Sequence, residues 1–397
     1  MESNPVRRAR VCLSAPRRWL VAAVLVSLLV TAWAAQGAAQ SQEPQMPPGH
    51  VRDLPATALA QPSSAPEKTV YVDATIGRDI AQCGTQQMPC RTINYGLHRA
   101  QQIQGNITGA NQPGSTYDPG VADWATVQVG PGTYTENVLI RSRFISLRGA
   151  SRAATIITTG SVAPVPGLPA VQVQANPVSI GGFTFQGSRT GVDVSAGAQV
   201  AIFDCDFVGN RWGMQVRGAR AGVSSSTFSG NLYGVYALDA TVLSLTDVSI
   251  TGQGQNTTGM GVRVRASQAW IFRSAASSSQ PTITNHLYGV LAEVSVVDIH
   301  GYQISQNTYG VASYAGVTWV GFGDSVTNNS QWGIFATRNA YFEIEGNATI
   351  SGNGGDAHQG IRLEDFSRCI IHGENTITDS ISPDDSSDYR LRTPPGP

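Results

Sequence analysis

Tyr309-Gly310-Val311 contains one copy of a signature that recurs eight times in this chain, a glycine followed by an apolar residue. The repeat glycines are Gly191, Gly213, Gly234, Gly261, Gly289, Gly310, Gly333 and Gly360. The steps between them are 22, 21, 27, 28, 21, 23 and 27 residues. A period of this length, with β-branched residues at alternate positions, is typical of a solenoid built from coils of short strands.

Asparagines close most of these coils and fix their register. They are Asn210, Asn231, Asn285, Asn307, Asn329 and Asn353. Three residues before most of them lies an apolar residue, and counting back from it gives inward pairs at i and i+2. One coil, for example, has Val297, Ile299, Tyr302 and Ile304. The inward and outward alternation of side chains is interrupted between the pairs, so we predict a corner there. The pattern predicts an all-β fold, a parallel β-helix of about ten coils with three faces per coil.

The two ends of the chain differ from the repeats in composition. Residues 1–39 have the features of a secretory signal, since five arginines precede the apolar run Trp19–Trp33 and small residues follow it. That run is long for a signal, so an uncleaved membrane anchor is the alternative. Residues 40–67 and 383–397 are polar and Pro-rich and predict a disordered linker and a disordered tail, which leaves 68–382 as the β-helix domain.

Charge and cysteine usage narrow the partners and the compartment. Without residues 1–39 the chain keeps 21 basic and 26 acidic groups, and a net charge near −5 argues against nucleic acid as a partner. Cys83 and Cys90 bracket a short loop and predict a disulfide, which forms in an oxidising compartment. Cys205 and Cys369 lie in strand-like sequence and predict buried thiols. We therefore expect a secreted or periplasmic protein of the cell envelope, which contacts a membrane only if its N-terminal segment is uncleaved.

The segment before the repeats supplies an end cap and a resemblance. Ile93, Leu97 and Ala100 share one face of a predicted short helix, Thr92–Ile103, which would cover the open end of the solenoid. The opening of the domain resembles the pectin lyase-like superfamily, and within it pectin methylesterases and bacterial right-handed β-helix repeat proteins. The stretches that carry the resemblance are Thr69–Asp73, Pro89–Ile93, Val127–Tyr134 with Glu136, Ile145–Gly149 and Thr155–Ile157. It implies a right-handed parallel β-helix whose working surface is the outer face of stacked strands.

The catalytic motifs of that superfamily are not matched. Where methylesterases carry Gly-Tyr-Gln-Asp-Thr-Leu, this chain has the unrelated sequence Val208–Gly213, and His300 and His372 lack the glycine that precedes the histidine in polygalacturonases. Asp204 and Asp206 are too few carboxylates for the calcium site of a pectate lyase. No cysteine and histidine spacing resembles a zinc site. We therefore predict no metal site and no cofactor, with calcium supported by no clear site, and leave enzymatic activity open.

Residues two and four positions beyond each repeat glycine are expected to point outward. The first outward column reads Asp193, Gln215, Tyr236, Arg263, Leu291, Ala312, Phe335, Arg362, and the second Ser195, Arg217, Leu238, Arg265, Glu293, Tyr314, Thr337, Glu364. Arginine pairs with carboxylates and tyrosine stacks on sugar rings, which predicts a binding surface for an acidic sugar. Its candidate binding residues are Gln215, Arg217, Tyr236, Arg263 and Arg265, with Asp193 as a candidate acid or base. The alternative is an ordinary solvated face.

Five of the repeat glycines follow an aromatic residue: Trp212, Tyr233, Tyr288, Tyr309 and Trp332. An exposed ladder of this kind would suit a polysaccharide, but strand parity favours an interior position. The leading hypothesis is a secreted β-helix protein that interacts with extracellular or cell-envelope polysaccharide. The alternatives are a polysaccharide lyase, epimerase or hydrolase acting on an acidic glycan, and a structural or adhesive surface protein.

Overall fold

The computed structural model describes residues 68–108, 124–160, 167–254, 258–357 and 359–392. All of them belong to the unit Leu54–Pro397. The predicted signal or anchor (1–39), the predicted linker (40–67) and the end of the predicted tail (393–397) lie outside the described residues. Within the part of the chain that is described, no helix is long and apolar enough to cross a membrane.

Three parallel sheets surround a common interior, and each complete coil contributes one strand to each sheet. The first sheet consists of β1 (Lys68–Val72), β2 (Ala125–Val129), β5 (Ile145–Gly149), β8 (Val178–Gly181), β11 (Gln199–Phe203), β14 (Arg220–Ser224), β17 (Val242–Thr246), β20 (Gln268–Phe272), β23 (Val296–His300), β26 (Val317–Gly321), β29 (Tyr341–Ile344), β32 (Arg368–His372) and β35 (Asp388–Arg392). The second consists of β3 (Gly132–Thr135), β6 (Thr155–Thr158), β9 (Thr184–Gln186), β12 (Asp206–Val208), β15 (Thr227–Ser229), β18 (Ser249–Thr251), β21 (Thr282–Thr284), β24 (Gln303–Ser305), β27 (Ser325–Thr327), β30 (Thr349–Ser351) and β33 (Thr376–Ile377). The third consists of β4 (Val138–Ile140), β7 (Val171–Val173), β10 (Thr190–Val194), β13 (Trp212–Arg217), β16 (Tyr233–Leu238), β19 (Met260–Arg265), β22 (Tyr288–Glu293), β25 (Tyr309–Tyr314), β28 (Trp332–Thr337), β31 (Gln359–Leu363) and β34 (Ser380–Pro383). The described residues therefore form a parallel β-helix with 11 strands in each of the second and third sheets, where the repeats predict about ten coils.

The residues that follow the repeat glycines form one buried column, as predicted. Its members are paired in the order Val192, Met214, Val235, Val262, Val290, Val311, Ile334 and Ile361. None of them exposes more than 1% of its surface. Parallel pairing of equivalent positions places like side chains about 4.8 Å apart and gives a continuous apolar interior.

Buried asparagines form a hydrogen-bonded ladder at the corner between the second and third sheets. Nδ2 of Asn307 donates to Oδ1 of Asn329 at 3.2 Å and to the carbonyl oxygen of Ile283 at 3.0 Å. Oδ1 of Asn307 accepts a bond from the backbone N–H of His286, and His286 rather than the predicted Asn285 occupies this ladder position. Similar side-chain bonds join Asn210 to Asn231, Asn329 to Asn353, and Asn353 to Asp379. The ladder satisfies backbone groups that the turn would otherwise leave unpaired.

At the repeat glycines the regular alternation of inward and outward residues is interrupted. A Cβ at Gly289 would lie 2.8 Å from Cγ2 of Ile304 and 2.9 Å from Nδ2 of Asn307, so Gly289 and the following Val290 both face the interior. Tyr288 consequently lies on the outside and is half-buried. The prediction that parity places the aromatic residues before the glycines in the core is wrong, because two successive residues point inward at each such glycine.

A helix covers the N-terminal end of the coil stack. This helix, α1 (Ile93–Thr108), begins one residue later than predicted and ends five residues later. Ile93, Leu97 and Ala100 are buried in the core, as predicted. The carboxylate of Glu136 accepts hydrogen bonds from the first two backbone N–H groups of the helix at 2.8 and 3.1 Å. An acidic side chain at this end is favoured by the unpaired N–H groups and the helix dipole.

The cysteines behave as predicted. Cys83 and Cys90 form a disulfide with their Cα atoms 4.9 Å apart. Cys205 and Cys369 are free and buried. Burial raises the pKa of each free thiol to about 12. These two side chains therefore act as packing groups, because the thiolate is the reactive form of cysteine.

The coil stack extends beyond the predicted end of the domain at residue 382. Ser380–Pro383 joins the third sheet, and Asp388–Arg392 pairs in parallel with Arg368–His372 in the first. This corrects the predicted boundary, since residues 383–392 continue the sheets instead of forming a disordered tail. Polar composition suggested disorder, but a strand at the end of a stack is held by backbone hydrogen bonds to the preceding coil and needs few apolar side chains.

Candidate functional site

The outer face of the third sheet carries the first predicted column in full and the second from Arg217 to Thr337, while Ser195 and Glu364 lie just beyond the ends of their strands. In the first column the paired residues are Asp193, Gln215, Tyr236, Arg263, Leu291, Ala312, Phe335 and Arg362. In the second they are Arg217, Leu238, Arg265, Glu293, Tyr314 and Thr337. The structure thus brings all of the predicted binding residues onto one face, on neighbouring strands.

Two of the three predicted arginines are already paired with carboxylates of the same face. Nη2 of Arg217 lies 3.1 Å from both oxygens of Asp193, and Nε of Arg263 donates to Oε2 of Glu293 at 2.5 Å. Partial burial of Arg263 disfavours its charge, but the hydrogen bond and the charge of Glu293 raise its pKa overall. Arg265 is exposed, and among the described residues no ion pair engages it. An acidic ligand would therefore find its unpaired positive charge at Arg265.

The remaining predicted residues lie around these ion pairs. Asp193, the candidate acid or base, is only 7% exposed, and both of its oxygens are occupied by Arg217. Gln215 and Tyr236 are half-exposed. The guanidinium carbon of Arg263 lies 5.0 Å from the centre of the Tyr236 ring, which covers one face of that ring with a cation. A general acid or base needs an oxygen within reach of substrate, and Asp193 offers none in this arrangement.

A column that contains the five aromatic residues predicted to lie in the core runs beside the first outward column, and we call it the aromatic column. The paired residues are Trp212, Tyr233, Met260, Tyr288, Tyr309 and Trp332, and each is half-buried. The rings of Trp212 and Tyr233 are stacked 5.9 Å apart, and those of Tyr288 and Tyr309 are stacked 4.9 Å apart. Stacking of this kind leaves ring edges and hydroxyl groups along a ridge that follows the direction of the coil stack.

Four rings of the neighbouring columns join into one surface, which we call the aromatic patch: Tyr288, Tyr309, Tyr314 and Phe335. The hydroxyl oxygens of Tyr288 and Tyr314 are 3.1 Å apart. The ring of Phe335 lies 5.6 Å from that of Tyr309 and 5.9 Å from that of Tyr314. Burial and then the neighbouring Tyr288 raise the pKa of Tyr309 and of Tyr314, so both hydroxyls stay neutral and can donate hydrogen bonds. The patch combines apolar ring surface with polar hydroxyl groups on adjacent coils.

Two further groups bear on metal binding. Arg152 lies 3.4 Å from an oxygen of Asp204 and 3.4 Å from an oxygen of Asp206, so this acidic pair is matched by a cation of the chain itself. Among the described residues, the donor atoms of one group are close enough together for a metal ion: Glu343, Glu345 and His372, on the first sheet. These residues were not predicted as a site from the sequence, although Glu343 and Glu345 flank the inward Ile344 and offered a signal.

Residues 170–349 match the family model described as a right handed beta helix region. The matched segment is just under half of the chain and includes seven of the eight repeat glycines, with strands from all three sheets. Together with the three parallel sheets, this match shows that the described residues form a right-handed parallel β-helix. The predicted fold class and its hand are therefore confirmed, whereas the stretches that carry the resemblance of the opening precede the matched segment.

Solved structures with a similar fold include several carbohydrate-active enzymes. A double mutant of the periplasmic alginate epimerase AlgG is 15% identical, with a TM-score of 0.41 over 72% of this chain and 81% of its own. Pectin methylesterase PemA from Erwinia chrysanthemi is 12% identical, with a TM-score of 0.39 over 71% and 90%. Pectin methylesterase from carrot is 15% identical, with a TM-score of 0.41 over 76% and 88%. Likenesses at this level do not indicate the ligand of this chain. Among curated proteins, no sequence matches it.

Proposed function

We propose that the outer face of the third sheet binds a polysaccharide outside the cytoplasm, with the sugar chain lying along the coil stack. The observation that carries this proposal is the aromatic patch, in which half-buried rings on adjacent coils stand beside hydrogen-bonding side chains. Clustered apolar surface with a few convergent polar groups is typical of ligand sites. The Cys83–Cys90 disulfide supports an oxidising compartment.

The repeat geometry suits a polymer better than a small ligand. Coils of a β-helix are stacked about 4.8 Å apart, a distance comparable to the length of one hexose unit. A glycan parallel to the stack would therefore meet an equivalent position at each sugar. Ring edges of the aromatic column would contact the apolar C–H faces of the sugars, while Tyr309, Gln215 and Arg265 would hydrogen-bond to their hydroxyl or carboxylate groups.

Binding is the function that the state of the charged groups favours on this face. Asp193 has both oxygens occupied and little exposure, so we do not assign it a catalytic role. Arg217 and Arg263 are matched by Asp193 and Glu293, which leaves Arg265 to discriminate between anionic and neutral glycans. We therefore expect aromatic contacts to dominate the affinity and Arg265 to set the preference for charge.

A polysaccharide panel with matched variants tests the proposal. The purified protein is titrated with neutral and anionic polysaccharides, with and without calcium. Replacing Tyr309 and Phe335 by alanine should weaken the best ligand at least tenfold, or about 1.4 kcal/mol. Tyr389→Ala, on the first sheet and 39% exposed, is the matched control and should leave the affinity unchanged. Arg265→Ala should weaken anionic ligands only. Absence of any bound polysaccharide would contradict the proposal and favour a structural or adhesive protein.

A further inference from the structure

A second cluster of polar residues lies on the outer face of the first sheet, near the C-terminal end of the coil stack. Glu343 belongs to β29, Glu345 follows that strand directly, and His372 ends β32. Because Ile344 pairs with Ile371, the residues that follow them, Glu345 and His372, are neighbours on adjacent coils. One donor atom from each of the three side chains lies within 4.8 Å of the others.

Neighbouring side chains hold Glu343 in a fixed orientation. Its Oε2 accepts hydrogen bonds from Nε1 of Trp319 at 3.1 Å and from the hydroxyl of Tyr341 at 3.2 Å. Its Oε1 lies 2.8 Å from Nε2 of His372. Two donors on one oxygen thus fix the carboxylate and leave the other oxygen directed at the imidazole. Protein groups outside the ligand set orient metal-binding carboxylates and imidazoles in this way.

The surroundings of the cluster are rich in carboxylates. On an earlier coil of the same face, Oδ1 of Asp298 lies 2.8 Å from Nε2 of His300. Between this pair and Glu345 stands Gly321, which pairs with His300 and has no side chain to separate the two groups. Among the described residues, no arginine or lysine forms an ion pair with Glu345. The three carboxylates face two histidines, so a bound divalent cation would offset their mutual repulsion.

We propose that Glu343, Glu345 and His372 bind a divalent transition-metal ion of the Zn²⁺ class. Ca²⁺ and Mg²⁺ prefer oxygen ligands throughout, whereas a set of one imidazole and two carboxylates suits Zn²⁺ and its neighbours. Three protein ligands leave coordination positions open to solvent or to a ligand. The three side chains are half-buried and therefore accessible. This site is on a different sheet from the aromatic patch and does not depend on the proposed polysaccharide binding.

Calorimetric titration with Zn²⁺ tests the site directly. Untagged protein is treated with a chelator, exchanged into a weakly coordinating buffer, and titrated with Zn²⁺ alone. We expect saturable binding of one ion per chain. His372→Ala should weaken it more than tenfold, and Trp319→Phe, which removes the N–H donor to Glu343 together with part of the indole ring, should weaken it by about 10- to 100-fold. His98→Ala, in the exposed face of α1, is the matched control and should have no effect.

A second measurement protects the test against misfolded variants. Co²⁺ replaces Zn²⁺ in most protein sites and has visible absorption bands that depend on its ligands. The near-isosteric variant Glu345→Gln should weaken Co²⁺ binding and change these bands while circular dichroism and the melting temperature without metal stay unchanged. The proposal is overturned if the native protein binds no Zn²⁺, or if His372→Ala and Glu345→Gln bind it as tightly as the native protein. Loss of the metal site should leave polysaccharide affinity unchanged.

Discussion

His286 fills a gap in the asparagine ladder next to a coil that supplies no asparagine. A Cβ at Gly252, Gly259 or Gly261 would lie 2.9 to 3.5 Å from the imidazole ring, so these glycines make room for it. The residue is 1% exposed, and its ring nitrogens have no hydrogen-bond partner among the described residues. Burial lowers its pKa to about 4. The folded protein therefore holds this histidine in its neutral form.

We expect His286 to reduce stability in mild acid. Its pKa is about 6.5 in the unfolded chain and about 4 in the folded one, so the unfolded state binds more protons between these values and stability falls as the pH falls. At 1.36 kcal/mol per pKa unit the loss is roughly 3 kcal/mol. Urea unfolding of the native protein and of His286→Asn at pH 7 and pH 4 measures it. The native protein should lose about 3 kcal/mol more than the variant, and an equal loss would contradict a buried neutral histidine.

The asparagine ladder could be predicted from the sequence, but His286 was not assigned to it. Asn285 has the residue type that the other coils use, which made it the natural candidate. The ladder, however, requires a backbone N–H that reaches Oδ1 of Asn307, and residue 286 supplies it. The local spacing marks this position, since His286 lies three residues after Ile283 and three before Gly289, whereas Asn285 lies only two after Ile283.

At the scale of the strand, the repeat glycine allows the coils of the third sheet to pack closely. It lets two successive residues face inward, so the backbone of each coil can approach the next while the preceding aromatic residue turns outward. The outward columns were predictable because they lie after the glycine, where alternation is regular. The aromatic column was not, because it lies before the break, and a rule of strict alternation assigns it to the wrong side.

Two glycine substitutions test this account of the strand. A methyl group at Gly289 would meet Ile304, Asn307 and the backbone of Gly310 at 2.6 to 2.9 Å, whereas at Gly222 nothing lies within 4 Å. Gly289→Ala should therefore destabilise the protein by about 1 to 3 kcal/mol through overpacking. Gly222→Ala should be neutral or stabilise it by up to about 1 kcal/mol. Chemical denaturation compares the two, and equal effects would show that the glycine column has another cause.

At the scale of the whole coil stack, two outer faces have different chemistry. The third sheet presents aromatic rings with internally paired arginines, and the first presents Glu343, Glu345 and His372. The first of these surfaces follows from the repeat, since Gln215, Tyr236 and Arg263 recur at one position of successive coils. The second surface does not follow from the repeat. Glu343 and His372 are brought together only by the pairing of two coils of unequal length. The repeat period likewise does not identify the ligand. A period shows that the coils stack, but not which chemical groups they present.

In the proposed complex a sugar chain lies along the third sheet and contacts one coil per sugar unit. The most direct measurement is the affinity of the best glycan as a function of its length, using purified oligosaccharides of increasing size. The aromatic column spans the coils from Trp212 to Trp332, six paired positions, so affinity should rise with each added unit up to roughly six and then level off. The rise should be smaller when Tyr309 and Phe335 are both alanine. Full affinity for a disaccharide, or a rise that ignores these substitutions, would contradict the claim.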